Sequence, residues 1–197
     1  MVGMEKSVSL EIKRQAVHIA VGIAAAFLVA KGVVDWKFFL PVLLAGTALS
    51  FVSVKKRLPV VSWFLEHFER RDSFPGKGAL FLVAGMLLAV LLFERSIALA
   101  SIMIVTFGDS ISHVSGKLFG KIRHPLNKYK LVEGSILGSA AAAIGAAFFV
   151  QWQEAVPAAA IAMIVESFEL KFRGMAVDDN LLIPLVAGLV ISVIRVI

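Results

Sequence analysis

Cysteine is absent from the 197-residue chain, which excludes disulfides and thiolate metal sites. Charge is scarce: Asp, Glu, Lys and Arg make up 17% of residues, against about 25% in ordinary globular proteins. No hydrophilic stretch is long enough to form a second domain, so residues 1–197 read as one domain. The G-x-x-x-x-G-K-[ST] phosphate loop does not occur. Zinc is disfavoured, because His18, His67, His113 and His124 show no ligand spacing. No internal repeat of the kind that builds many transporters is visible.

What the chain has instead is apolar surface. It is 59% hydrophobic, with a mean hydropathy of +0.88, where a soluble domain is about 45–50% apolar. A soluble fold of this size cannot hide that much, so the composition implies an integral membrane protein. Apolar runs fall at about Ala16–Ala30, Phe38–Val54, Ala79–Phe93, Ser96–Phe107, Ile136–Val150, Val156–Val165 and Leu181–Ile197. They predict an all-α, polytopic bundle of about seven transmembrane helices. Several runs fall short of the ~20 residues a span needs, so their polar flanks must continue the helices. The charged start, MVGMEKSVSLEIKRQ, followed by an apolar run has the look of a signal peptide. Similar runs recur down the chain, which favours a retained first span.

Seven spans sort the loops into two sets. The N-terminus and residues 55–78, 108–135 and 166–180 take all the Lys and Arg except Lys31, Lys37, Arg95 and Arg195, which is sixteen of 20. The positive-inside rule then places the N-terminus in the cytoplasm and the C-terminus outside, as in a multi-pass cell-membrane protein. The net charge of +6 thus forms a cytoplasmic face. It serves topology, and it also suits lipid headgroups or nucleotide phosphates rather than nucleic acid. The apolar exterior suits lipid or a second subunit equally.

The fourth run ends in TFGDSISHVSGKLFGK, Thr106 to Lys121. If the helix continues through Asp109, then Asp109, Ser112, His113, Gly116 and Gly120 share one face. Gly116-x-x-x-Gly120 by itself reads as a helix-packing motif. An ionisable residue at a membrane boundary, however, usually faces a polar cavity. A carboxylate beside glycines and the lysines Lys117 and Lys121 suits a Mg²⁺–phosphate complex: the carboxylate holds the metal, glycine admits phosphate to the backbone and lysine neutralises charge. Pro125 and Asn127 then mark a loop, and Lys130, Glu133, Gly134 and Ser135 open the next span. Glu133 suits the positive end of that helix, or serves as a second metal carboxylate. Gly134, Gly138, Ala142, Gly145 and Ala146 make this helix small-sided, which places it in the middle of the bundle.

Other polar residues sit in apolar surroundings. His18 lies inside the first span, either as a hydrogen-bonded interior histidine or as a functional one. Gly76-Lys77-Gly78 is a turn or an anion-holding nest. Glu166, Glu169, Asp178, Asp179 and Asn180 lie between the last two spans. Asp178–Asn180 reads as a helix N-cap, or as acceptors for a cation or a hydroxyl proton. Pro184 lies inside the last run, and the backbone groups it frees need partners within the protein.

Taken together, GDSISHVSGKLFGK (Gly108–Lys121), KLVEGS (Lys130–Ser135) and DDNLLIPL (Asp178–Leu185) resemble the polyprenol kinase family: dolichol kinases, phytol kinases and CTP-dependent diacylglycerol kinases. A weaker echo is E-x-x-R-x-x-x-H-x-x-x-G at Glu11, Arg14, His18 and Gly22. The chain departs from the family pattern at Gln15, where Lys is usual, at Leu131, where Ser or Thr is usual, and at His113, where small residues are common. The resemblance implies transfer of a nucleotide's γ-phosphate, often from CTP, to the hydroxyl of a membrane lipid such as a polyprenol, a dolichol-type alcohol or a diacylglycerol. It implies Mg²⁺ on Asp109 and Glu133. It also implies nucleotide contacts from Gly108, Ser112, Gly116, Lys117, Gly120, Lys121, Lys130, Gly134, Ser135 and Asn180. Asp179 or His18 takes the hydroxyl proton on this reading. The alternatives are a CTP-dependent lipid cytidylyltransferase and a small membrane transporter.

Overall fold

The structure, a computed structural model, describes residues 2–56, 59, 63, 74–168, 170–172 and 175–197. Arg57, His67, Arg70, Arg71, Glu169 and Arg173 lie outside the described residues. Each apolar run is a helix: α1 (Val2–Ala30), α2 (Trp36–Lys55), α3 (Lys77–Leu92), α4 (Arg95–Phe119), α5 (Val132–Ala146), α6 (Trp152–Ser167) and α7 (Asp179–Val196). The polar flanks do extend the helices: α1 begins fourteen residues before Ala16, and α4 runs twelve residues past Phe107. Two short hairpins stand where loops were expected. They are β1 (Arg123–His124) with β2 (Asn127–Leu131), and β3 (Lys171–Phe172) with β4 (Met175–Ala176).

Local chemistry sets the helix ends. Gly32 takes a φ of 70°, open to glycine at little cost, and lets the chain reverse after α1. Asp35 caps α2, its carboxylate accepting from the Lys37 N–H at 2.8 Å. Gln151 and Glu154 form a reciprocal capping box at the start of α6. Asp178 caps α7, accepting from the Asn180 N–H at 3.2 Å. The N-cap reading of this segment is therefore correct.

The central rod is α4. In its most apolar window 78% of residues are buried by the rest of the protein, against 11% for the peripheral α2. Helix α1 runs antiparallel to α4. Lys117 reaches Glu11, a side chain on Gly22 would collide with Thr106, and Arg95 donates to the Val29 carbonyl at 3.0 Å. Helix α5 lies antiparallel on another side through a seam of small residues. A Cβ on Gly134 would sit 2.6 Å from the Ser112 carbonyl, and one on Gly138 would sit 2.7 Å from the Gly108 carbonyl. That is the packing the small-sided α5 predicts.

Pro184 removes the amide that would bond the Asn180 carbonyl within α7. That carbonyl points at Gly85 of α3, so closely that a side chain there would overlap it. The glycine thus lets the freed backbone group sit inside the protein rather than in lipid.

The seven described helices alternate in direction, so their ends form two opposite faces. At one, Arg195 ties together Glu154, Glu94 and Ser96. At the other gather both hairpins and most of the buried acids. Between the faces, large apolar side chains point outward, among them Phe27, Leu44, Phe51 and Ile144, each more than half exposed. Four helices (α1, α2, α4 and α7) are long and apolar enough to cross a bilayer, while α3 and α5 are shorter apolar helices. Sixteen helical residues rise roughly 24 Å, somewhat under a ~30 Å hydrocarbon core.

Candidate active site

Asp109 lies in the interior of α4, 5% exposed. Its Oδ1 is 3.2 Å from Nε2 of His113, one turn along the helix. Two more carboxylates converge on it. Glu166 comes from the last turn of α6 and is 1% exposed; Asp179 is the first residue of α7. One oxygen from each of the three lies within 4.8 Å of the others.

Lys130, carried by β2, reaches into this group. Its Nζ is 2.6 Å from Glu166 Oε1 and 3.2 Å from Asp179 Oδ2, and it donates to the Glu166 carbonyl at 2.8 Å. Burial disfavours the ammonium form, but Glu166 and Asp179 outweigh it, so the Lys130 pKa lies above the ordinary lysine value. Burial likewise lifts the Asp178 carboxyl above its ordinary value, against the lowering by Asn180 and by Lys77, whose Nζ is 3.9 Å away.

Among the described residues, three carboxylates face one ammonium, with the His113 ring on Asp109. Glu166 Oε2 and Asn180 Oδ1, the latter next to Asp179 in the chain, are shut off from solvent with no hydrogen-bond partner among the described residues, as are His18 Nε2, Ser135 Oγ, Gln15 Oε1, Ser101 Oγ and Ser110 Oγ. Orphaned buried groups are costly and mark places where a ligand completes the set. An all-oxygen donor set suits a hard cation such as Mg²⁺. The residues therefore fit the expected metal at Asp109.

Glu133 stands apart from this group. It accepts from the backbone N–H groups of Lys121 (3.0 Å) and Ile122 (3.2 Å), which have just left the end of α4. Its carboxylate locks the turn between α4 and β1. Glu166 occupies the place expected for Glu133 beside Asp109. The sequence marked Glu166 only as one acid among several; its signal was position, a carboxylate ending the apolar run AAAIAMIV.

The other predicted residues divide. Asp109, Lys130 and Asp179 come together from three elements. Asn180 follows directly, its Nδ2 donating to Asp178 Oδ1 at 3.1 Å. Lys117 ion-pairs with Glu11 of α1 at 2.9 Å, and the buried Glu11 also accepts from Arg14 and Gln15. The side chain of Lys121 is exposed beyond the end of α4. Gly108 touches Met163 and Ala142, while Gly116 faces Gly134. A side chain on Gly120 would strike Leu131 and the Gly116 carbonyl. Ser112 packs under Gly138. Gly108, Ser112 and Gly116 let the helices approach closely, while Gly120 makes room for Leu131 of β2. Gly76, at a φ of 75°, opens α3 as a turn.

No protein-family model matches the chain, and no solved structure does. An uncharacterized protein of Methanocaldococcus jannaschii is 26% identical over 186 residues, 92% of this chain and 93% of that protein. A probable chloroplastic phytol kinase of Triticum aestivum is 31% identical over 131 residues, 58% of this chain. The matched stretch spans 43% of the wheat protein. This partial similarity points toward the same polyprenol kinase-like group that the motifs of α4, β2 and α7 resemble.

Proposed function

We propose that the protein is a membrane lipid kinase that transfers the γ-phosphate of a nucleoside triphosphate, CTP by resemblance, to the hydroxyl of a lipid alcohol. The acceptor is a polyprenol, a dolichol-type alcohol or a diacylglycerol-like lipid. The observation that carries this reading is the meeting of Asp109, Glu166 and Asp179 with Lys130, drawn from four elements to one end of the bundle. The similarity to a phytol kinase supports it. So does the bias of lysine and arginine, which sets this end toward the cytoplasm.

In this reading Mg²⁺ is held by Asp109, Glu166 and Asp179, and when bound it neutralises charge on the phosphate oxygens. Phosphoryl transfer needs little covalent help from protein; alignment and charge do most of it. Lys130 supplies the buried positive charge, fixed on two sides by Glu166 and Asp179. Lys117 and Lys121 add cations at the rim. Ser135 and Asn180 present unpartnered polar atoms to the nucleotide. The apolar exterior keeps the lipid tail in the bilayer while its hydroxyl meets the polar end of α4.

The test is purified protein with Mg²⁺, γ-labelled CTP or ATP and a panel of lipid alcohols. Label in lipid, with release of a nucleoside diphosphate, supports the proposal. A CDP-lipid with pyrophosphate would instead indicate cytidylyl transfer, and no product from either nucleotide overturns the reading.

A further inference from the structure

The proton of the lipid hydroxyl needs an acceptor, and the residues near Asp109 differ in how committed they are. Asp179 is bonded to Lys130 and belongs to the carboxylate group. His113 is held on Asp109. Glu11 carries three donors. His18 Nε2 is closed off from solvent and has no partner among the described residues.

Its position is fixed by the α1–α4 packing. Glu11 pairs with Lys117, Gly22 abuts Thr106 and Val29 meets Arg95. In this antiparallel register His18 lies level with residues 109–113 of α4. It is electrostatically coupled there to Asp109 and His113, and also to Arg14 and to Asp178 ahead of α7. Gly22, one turn away, lets α1 and α4 approach closely, since a side chain there would overlap Thr106. The helix that carries it is a lipid-facing one. Ile12, Val21, Ile23 and Phe27 all lie outward on α1, at 43%, 43%, 44% and 58% exposure. The outward face of α1 thus offers an apolar chain a path along the helix that carries His18.

We infer that His18 is the catalytic residue that accepts the proton of the lipid hydroxyl. This rests on the lipid-kinase reading above. In the step, the alcohol O–H proton moves to Nε2 as the alcohol oxygen bonds the γ-phosphorus. The bond from that phosphorus to the β–γ bridging oxygen breaks, and the nucleoside diphosphate leaves with the electron pair. The imidazolium gives the proton up to solvent as the products leave the site.

The experiment compares wild type, His18→Gln and His18→Ala in the labelled-lipid assay, with His18→Asn in place of Gln if that variant does not elute as wild type does. Loss of a positioned proton acceptor lowers kcat by about 10²-fold or more, while the KM for the nucleotide stays within about threefold. Added imidazole restores His18→Ala about tenfold or more, which a packing role would not permit. A Gln or Asn variant keeping more than a tenth of kcat overturns the inference. So does a parallel loss of nucleotide affinity, or an Ala variant indifferent to imidazole. A wild type that labels no lipid overturns the kinase reading and this inference with it, whereas an active wild type with an active variant overturns the inference alone.

Discussion

Lys130→Met removes the ammonium that, among the described residues, bridges Glu166 and Asp179. Its three contacts differ in value. Asp179 is about a third exposed, at 32%, so its share is screened and small, within the ~0–1 kcal/mol of solvated pairs. Glu166 has no solvent-exposed side-chain surface, and its Oε1 is 2.6 Å from Nζ. Stripping the partner from a buried charge costs about 3–5 kcal/mol. Protonation of Glu166 relieves part of that, which sets the expectation at about 3 kcal/mol. At 2–4 °C per kcal/mol for a chain of this size, Tm falls by roughly 10 °C. The double variant Lys130→Met/Glu166→Gln removes the fully buried charge and leaves only the partly exposed Asp179 without its lysine. It should recover at least about 2 kcal/mol relative to the sum of the single changes. Thermal unfolding in one detergent, followed by far-UV circular dichroism, measures both. The Lys130 pKa is raised by folding, so its stabilisation is complete below the ordinary lysine value and is lost as pH rises through the folded one. The difference between wild type and Lys130→Met should therefore shrink above about pH 10.4. A single variant within about 2 °C of wild type, or an additive double variant, would refute the reasoning.

Other expectations follow from the same site and seam. Mn²⁺ bound in place of Mg²⁺, followed by electron paramagnetic resonance, should bind at least about tenfold more weakly to Asp109→Asn and Glu166→Gln, while Glu133→Gln stays within about threefold; the reverse order would return the metal to Glu133. Asp109→Asn should lower lipid labelling at least about 100-fold with the melting curve intact, and substantial remaining activity would remove Asp109 from the site. In the seam, Gly138→Ala sets a methyl 2.7 Å from the Gly108 carbonyl and 2.8 Å from the Ser112 Cβ, and should destabilise by about 1–3 kcal/mol. Gly78→Ala meets nothing within 4 Å and should leave stability unchanged or raise it by up to about 1 kcal/mol. Equal melting temperatures for the two alanine variants would end the packing account of α5.

Helices were legible because each apolar run is continuous and bounded by polar residues, and the Asp178–Asn180 cap announces itself locally. The length of α4 was legible only conditionally. Past Phe107 its pattern turns polar, and what keeps Asp109 helical is burial among α1, α5, α6 and α7. Glu133 was favoured over Glu166 because it follows the basic loop within a recognisable string. The backbone amides of Lys121 and Ile122 that claim it are invisible to spacing. Glu166 had no such string, and only the return of α6 to the same end sets it beside Asp109.

The sequence by itself determined an all-helical chain, the seven apolar segments, the lopsided distribution of cations and the presence of Asp109, Lys130 and Asp179 at segment ends. These are properties of runs and neighbours, and hydrophobic burial acts on them wherever they lie. Which acids share one site, and which lysine serves them, was decided by the tertiary structure. Small residues along α4 and α5 set how near the helices come, and a charge buried at that junction is tolerated only where an opposite one arrives from another segment.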